Sequence, residues 1–181
     1  MKKWLIAYVL LFCISGCKNI ETLEIPYERQ ELKIAIIGDT PDIQNKNITF
    51  EHISLDELNN KVNILSSEFN AIMITPSMFV DASNDQFSEV YHNVEIPIVF
   101  WNSSKAHYPF VNNKINYLNE NEVSLNNIPH SMDSIEKTHS TIFLYDIETE
   151  KESVWFFHLN EPNELEKLYS EIFNKIDEIT I

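Results

Sequence analysis

The sequence predicts a single α/β domain in three layers, built on a mainly parallel sheet of about six strands that ends in an antiparallel hairpin and a C-terminal helix. From residue 33 onward, short β-rich runs alternate with helical patterns, which is typical of an α/β fold. Three of these runs are almost continuously apolar, as central strands covered on both faces are. The 181 residues suffice for one compact core and are too few for two ordinary domains.

Six runs rich in β-branched and aromatic residues mark the expected strands: 33–38, 48–53, 70–75, 96–101, 141–147 and 154–159. Only residues 39–47 join the first two runs, fewer than the dozen or so residues of a usual parallel crossover. Either a single helical turn fits there or this pair of strands is irregular. The last two runs are separated by residues 148–153 without a helical pattern, so we expect an antiparallel hairpin at the sheet edge.

The first helix is predicted by a capping box, in which Ser54 and Glu57 satisfy each other's backbone amides. Apolar residues then recur at spacings of three and four along one face: Leu55, Leu58, Val62 and Leu65.

Two further helices follow from the same periodicity. One starts near Asp81 and buries Phe87, Val90 and Tyr91. The last begins around residues 160–163, with glutamates near the positive end of its dipole. Its apolar stripe packs in the core and consists of Leu165, Leu168, Ile172, Ile176 and Ile179.

Aromatic residues concentrate in the later half of the chain. Side chains alternate along the last strand, so Trp155 and Phe157 share one face while Phe156 lies on the other. A helix or a partner must cover at least one of these faces. Residues 102–140 form a long stretch with weak periodicity, which is either functional or a plain surface excursion.

Charge and composition exclude several function classes. With 28 acidic and 13 basic residues the formal net charge is -15, so a nucleic-acid backbone would be repelled. The two glycines, Gly16 and Gly38, are too far apart for a phosphate-binding loop or a dinucleotide fingerprint. The six histidines show no metal-ligand spacing, and no cysteine follows Cys17. We therefore expect no metal, cofactor, disulfide or thiol catalysis.

The N-terminus has the organisation of an export signal. Lys2 and Lys3 precede the apolar residues 4–14, a run too short to span a bilayer as a helix. The following Ile14-Ser15-Gly16-Cys17 resembles a bacterial lipobox, in which the cysteine receives a diacylglycerol and becomes the first residue after cleavage.

The resemblance to lipoproteins implies an address and a domain organisation. It implies a cleaved signal over residues 1–16, a lipid-anchored spacer over 17–31 and a single α/β domain over 32–181, held on the outer face of the cell membrane through Cys17. The mature part is similar in general layout to many small bacterial lipoproteins. The alternative is an uncleaved anchor or an ordinary secretory signal.

A candidate site follows from the strand ends, because open α/β sheets bind ligands beyond the carboxyl ends of their strands. Asp39 and Thr40 follow the first run and Thr75 the third. The residues after the fourth run add Ser103, Lys105, His107 and Tyr108. Together they offer a carboxylate, hydroxyls, an ammonium and aromatic rings, although turn and cap chemistry accounts for many of the same residues.

The acidic residue after the first strand and the later hydroxyls and lysine resemble a phosphoacceptor receiver domain. A receiver requires an aspartate at the end of the third strand, where this chain has Thr75-Pro76, so phosphotransfer is not expected.

Two functions remain. The first is a non-enzymatic, membrane-anchored module that binds an envelope partner or a cationic peptide, as immunity lipoproteins do, by means of its negative charge. The alternative is a small hydrolase-like enzyme that uses Asp39 with Ser103, Lys105 or His107, although no G-x-S-x-G nucleophile motif is present.

Overall fold

The computed structural model describes residues 22–113, 117 and 138–180. The predicted export segment, Cys17 and most of the predicted excursion at 102–140 lie outside the described residues. Eight strands are present in this part of the chain: β1 (Leu23–Glu24), β2 (Leu32–Ile37), β3 (Ile43–Gln44), β4 (Ile48–His52), β5 (Ala71–Ile74), β6 (Ile98–Phe100), β7 (Thr138–Asp146) and β8 (Lys151–His158).

Six of the strands form one sheet in the order β4-β2-β5-β6-β7-β8. The first four of these are parallel, with β2 paired to both β4 and β5, and β5 paired to β6. The last two strands are antiparallel to their neighbours, and β7 with β8 forms the predicted hairpin. The predicted α/β class, the mainly parallel six-stranded sheet and the C-terminal antiparallel hairpin are confirmed.

Helices cover both faces of the sheet. The helices α1 (Leu55–Asn60), α2 (Val62–Glu68), α3 (Phe79–Ala82), α4 (Asp85–His92) and α5 (Tyr108–Val111) pack on one face. The other face is covered by α6 (Leu165–Ile179) together with the N-terminal segment. The central strands β5 and β6 are therefore buried at every residue, which explains why their sequences are continuously apolar.

The capping box predicted at the first helix is present. Ser54 Oγ accepts a hydrogen bond from the Glu57 amide at 3.1 Å, and the Ser54 amide donates to Glu57 Oε2 at 3.2 Å. The predicted burial of Phe87, Val90 and Tyr91 is also confirmed, although a break at Ser83 and Asn84 separates α3 from α4.

Removing the cap should cause a small but measurable loss of stability. We expect Ser54→Ala to lower the free energy of unfolding by about 1 kcal/mol, because an amide at the start of α1 loses its acceptor. Urea unfolding followed by circular dichroism measures the difference. The matched control is Ser67→Ala, whose exposed hydroxyl caps no helix N-terminus. A loss equal to that of the control would contradict a capping role for Ser54.

The short connection between β2 and β4 contains no helical turn. Instead it forms the two-residue strand β3, which pairs in parallel with β1. Asn45 stabilises this arrangement, since its Nδ2 donates to the Ile25 and Tyr27 carbonyls at 2.8 and 2.9 Å. Of the two predicted alternatives, the irregular connection is therefore the one observed. The N-terminal segment pairs with this connection through β1.

Residues 22–31, which the lipoprotein resemblance assigns to the spacer, pack against the domain. The side chains of Ile25 and Tyr27 are 2% and 1% exposed and belong to the core under α6. At the far end of α6 the buried carboxylate of Asp177 accepts a hydrogen bond from Arg29 at 3.2 Å. The N-terminal segment is therefore part of the folded domain from Leu23 onward.

Candidate functional site

The carboxyl ends of the parallel strands meet at one edge of the sheet, as the strand register requires. Ile37 pairs with Ile74, and Ile74 pairs with Phe100, so β2, β5 and β6 end side by side. The antiparallel β7 begins at this edge and β8 ends there. The residues predicted from sequence are therefore brought to the same edge, where they form two groups.

The first group lies at the ends of β2, β4 and β5. The Asp39 amide donates to Ser77 Oγ at 3.1 Å, and Thr40 Oγ1 lies 3.0 Å from His52 Nε2. The buried Thr75 hydroxyl donates to the Ile37 carbonyl at 3.4 Å. These contacts join the strand ends to one another, while the Asp39 and Thr40 side chains face solvent.

Gly38 determines how closely these turns approach. Its φ of 105° lies in a region that side chains with a Cβ rarely adopt. A Cβ at this position would lie 2.7 Å from Ser77 Oγ and would also press on Thr75 Oγ1. The end of β2 can contact the β5 turn only because residue 38 has no side chain.

The second group lies after β6, in a turn held by two residues with positive φ, Asn102 at 56° and Ala106 at 54°. The buried Ser103 hydroxyl donates to the Ala106 carbonyl at 2.7 Å. Lys105 Nζ donates to the Tyr117 carbonyl at 2.7 Å and lies 4.9 Å from the centre of that ring. Both polar side chains are therefore engaged in shaping the turn.

His107 lies under this turn and is 4% exposed. Its ring stacks 5.8 Å from Phe143 and lies 5.8 Å from Phe156, and its Nδ1 has no hydrogen-bond partner among the described residues. Burial lowers the pKa of His107 to about 4, so the imidazole is neutral at pH 7. The half-buried Tyr108 stacks on it, and burial together with the charge of Glu152 raises the Tyr108 pKa.

Two further buried polar atoms lie on the β7–β8 hairpin. Like His107 Nδ1, the atoms Thr141 Oγ1 and His158 Nδ1 have no hydrogen-bond partner in the part of the chain that the structure describes. Thr141 pairs directly with Phe156 across the hairpin, and His107 contacts the same phenylalanine. Buried polar atoms thus concentrate where β7 begins and β8 ends, at the same edge as the strand-end residues.

The geometry limits the chemistry that the strand ends offer. Thr75 and Ser103 direct their hydroxyls to backbone carbonyls and not to a base. Within residues 22–113 and 138–180, no hydrogen bond links Asp39 to Ser103, Lys105 or His107. The predicted set thus comes to one edge but divides into two groups, each with its own turn contacts.

His52 was not among the candidates from sequence, although it contacts Thr40. His52 is the last residue of β4, so the rule that ligands bind beyond the carboxyl ends of the strands would have included it.

An aromatic cluster on the opposite face of the same edge was not predicted from the sequence. Trp101 lies 4.5 Å from Tyr169 and 5.9 Å from His139, and burial lowers the His139 pKa.

A cavity of about 720 Å³ lies beside the N-terminal segment, outside the strand-end set. Three glutamates and one lysine supply its charged groups. Its lining is Glu24, Ile25, Pro26, Tyr27, Glu28, Gln44, Asn45, Lys46 and Glu166. Burial and the charge of Asp177 raise the pKa of Tyr27 to about 12, so this phenol stays neutral. The sequence pattern did not reveal the cavity because its lining comes from the predicted spacer, the β3 region and the first turn of α6.

Neither a metal centre nor a membrane span is found in the part of the chain that the structure describes. No three histidine, cysteine or carboxylate side chains within it converge in a way that could hold a metal ion. None of its helices combines the length and the apolar character needed to cross a bilayer.

Comparison with known proteins finds no relative of this chain. No family model, no curated protein and no solved structure matches the chain.

Proposed function

We propose that this chain is a lipid-anchored module on the outer face of a bacterial cytoplasmic membrane, and that it binds a cationic peptide or a positively charged envelope partner. The observation that carries the proposal is the packing of the segment after the lipobox. Leu23 lies six residues after Cys17, and the chain is built into the core from Ile25 onward. Six residues span about 20 Å at full extension, so an acyl chain on Cys17 would hold the domain close to the headgroups.

Charge supports the choice of ligand. Removal of residues 1–16 takes away Lys2 and Lys3 and leaves 11 basic against 28 acidic residues, a net charge of -17. The cavity beside the N-terminal segment is lined by three acidic residues and one basic residue, which are Glu24, Glu28, Glu166 and Lys46. Such a surface attracts cationic peptides over distances of about one Debye length, roughly 8 Å at physiological salt.

A hydrolytic enzyme has less support. The hydroxyls nearest to the strand ends already donate to backbone carbonyls, and the neutral His107 is buried among Phe143 and Phe156. A general base must reach the proton of its nucleophile, and no described contact places His107 on a serine or threonine hydroxyl.

Lipidation at Cys17 is tested by fractionation and mass spectrometry of the full chain expressed in a bacterial host. We expect the wild-type protein in the membrane fraction, beginning at Cys17 and carrying a diacylglyceryl group. Cys17→Ala should abolish this modification. Cys13→Ala is the matched control and should leave it intact, because residue 13 lies within the apolar run. An unmodified Cys17 on wild-type protein recovered from cytosol would refute the proposed location.

Binding is tested in cells that produce or lack the protein. Loss of the protein should increase sensitivity to cationic peptides, and the difference should shrink as salt rises. Equal sensitivity of the two strains at low salt would refute the peptide function and leave the lipid anchor untouched.

A further inference from the structure

The strand β8 lies at the edge of the six-stranded sheet, and within residues 22–113 and 138–180 no strand pairs with its outer side. Its eight residues form backbone hydrogen bonds with β7 on one side, and no other described strand or loop pairs with it. An edge strand of this length exposes a row of amides and carbonyls that can accept another strand. The opposite edge, β4, has five residues with an alternation of exposed polar side chains and a surface ion pair between Lys33 and Glu51.

Most of the half-exposed side chains of β8 are apolar. The sequence from residue 154 to residue 159 is partly exposed at every position, and four of these six residues have large apolar side chains, Trp155, Phe156, Phe157 and Leu159. Ile147, in the hairpin turn beside β8, is 45% exposed. A partner strand would remove this apolar surface from water.

Acidic residues lie at both ends of this edge. The hairpin turn and the strand residues next to it carry Asp146, Glu148, Glu150 and Glu152, and the chain after β8 carries Glu161 and Glu164. Lys151 is the single lysine or arginine between residues 146 and 164. An unpaired strand with an aromatic centre and negatively charged ends is complementary to an extended peptide with an apolar centre and positive charges.

We propose that β8 binds an extended cationic peptide by adding it to the sheet as a seventh strand. This inference rests on the proposed function and names where its ligand binds. Main-chain hydrogen bonds along β8 provide the affinity, the side chains of alternate peptide residues contact the aromatic rings, and the flanking glutamates select positive charge. A second copy of this chain is disfavoured as the occupant, because each mature copy carries a net charge of -17, from 11 basic and 28 acidic residues.

The experiment uses the full lipidated chain in nanodiscs of zwitterionic phosphatidylcholine. The probe is a synthetic peptide of alternating lysine and valine, blocked at both termini. A second peptide of the same sequence carries N-methyl groups on alternate residues, which remove donors from one edge and leave the charge unchanged. We expect the first peptide to bind, the second to bind at least roughly tenfold more weakly, and backbone amides of β8 to gain protection from hydrogen exchange.

Charge-reversal variants locate the acidic ends of the site. Glu148→Lys with Glu161→Lys should weaken binding of the first peptide roughly tenfold. The matched control, Glu68→Lys with Glu89→Lys, changes the net charge equally on exposed positions of α2 and α4 and should weaken it less than about threefold.

The outcomes separate this inference from the function on which it rests. Equal binding of the two peptides, or protection confined to the cavity around Glu24 and Glu28, would overturn the β8 site. The proposal that the protein binds a cationic ligand would then still stand. If neither peptide binds at micromolar concentration, both the β8 site and the proposed binding of a cationic ligand are overturned. Protection of β8 that grows with protein concentration without peptide would also overturn the inference, since the edge would then be occupied by a second copy.

Discussion

Gly38→Ala is expected to destabilise the domain by about 3 kcal/mol or more. Two costs add at this position. An alanine at a φ of 105° is strained, and its Cβ would lie 2.7 Å from Ser77 Oγ. Relief requires the end of β2 to move away from the β5 turn, which would stretch the bond from the Asp39 amide to Ser77.

Denaturant unfolding of wild type and variant under the same solution conditions measures this loss. Thr40→Ala is the matched control two residues further on. Its exposed hydroxyl contacts His52 at the surface, so we expect a loss of no more than about 1 kcal/mol. Equal stability of Gly38→Ala and wild type would contradict the close approach of the two turns.

Acid should destabilise the domain through His107. The pKa of this imidazole is about 4 in the folded protein, against an ordinary value of 6.5 in the unfolded chain. Between these values the unfolded state binds the proton and the folded state does not, so stability falls as the pH is lowered from 6.5 to 4. The full loss is about 3 kcal/mol, and this group contributes no further change below pH 4.

His107→Phe should remove this part of the pH dependence while keeping the aromatic contacts to Phe143 and Phe156. The free energy of unfolding is measured for wild type and variant at intervals between pH 4 and 7, and the difference between the two curves isolates His107 from His139 and the carboxylates. Tyr108→Phe is the control, since a tyrosine does not titrate in this range. Parallel curves for wild type and His107→Phe would show that His107 can be protonated within the fold.

The aromatic strand at the C-terminal edge illustrates the limits of pattern reading. Alternation along residues 154–158 correctly predicts that Trp155 and Phe157 share a face, and both pack on the core under α6. The missing helical pattern between the last two runs predicts that the hairpin lies at the sheet edge, where β8 is found. Neither pattern predicts that residues 154–159 stay half-exposed, because the packing of the helices on the two faces decides how much of each side chain is covered.

The strand-end residues illustrate a second limit. Periodicity and turn chemistry predict that Asp39, Thr75 and Ser103 follow buried strands, and the register places all three at one edge. Whether their side chains converge depends on the turns, where Gly38, Asn102 and Ala106 adopt positive φ and direct hydroxyls to the backbone. A positive φ at an alanine is not predicted from a single sequence, because residues with a Cβ seldom adopt it.

The sequence alone determined the α/β class, the six strands, the capping box and the hairpin. These features depend on the spacing of apolar residues and on caps within a few positions, which are local properties. Tertiary structure decided that residues 22–31 belong to the domain, that a cavity lies beside them and that the aromatic residues of β8 stay half-exposed. These depend on contacts such as that between Arg29 and Asp177, 148 positions apart, for which no local pattern exists.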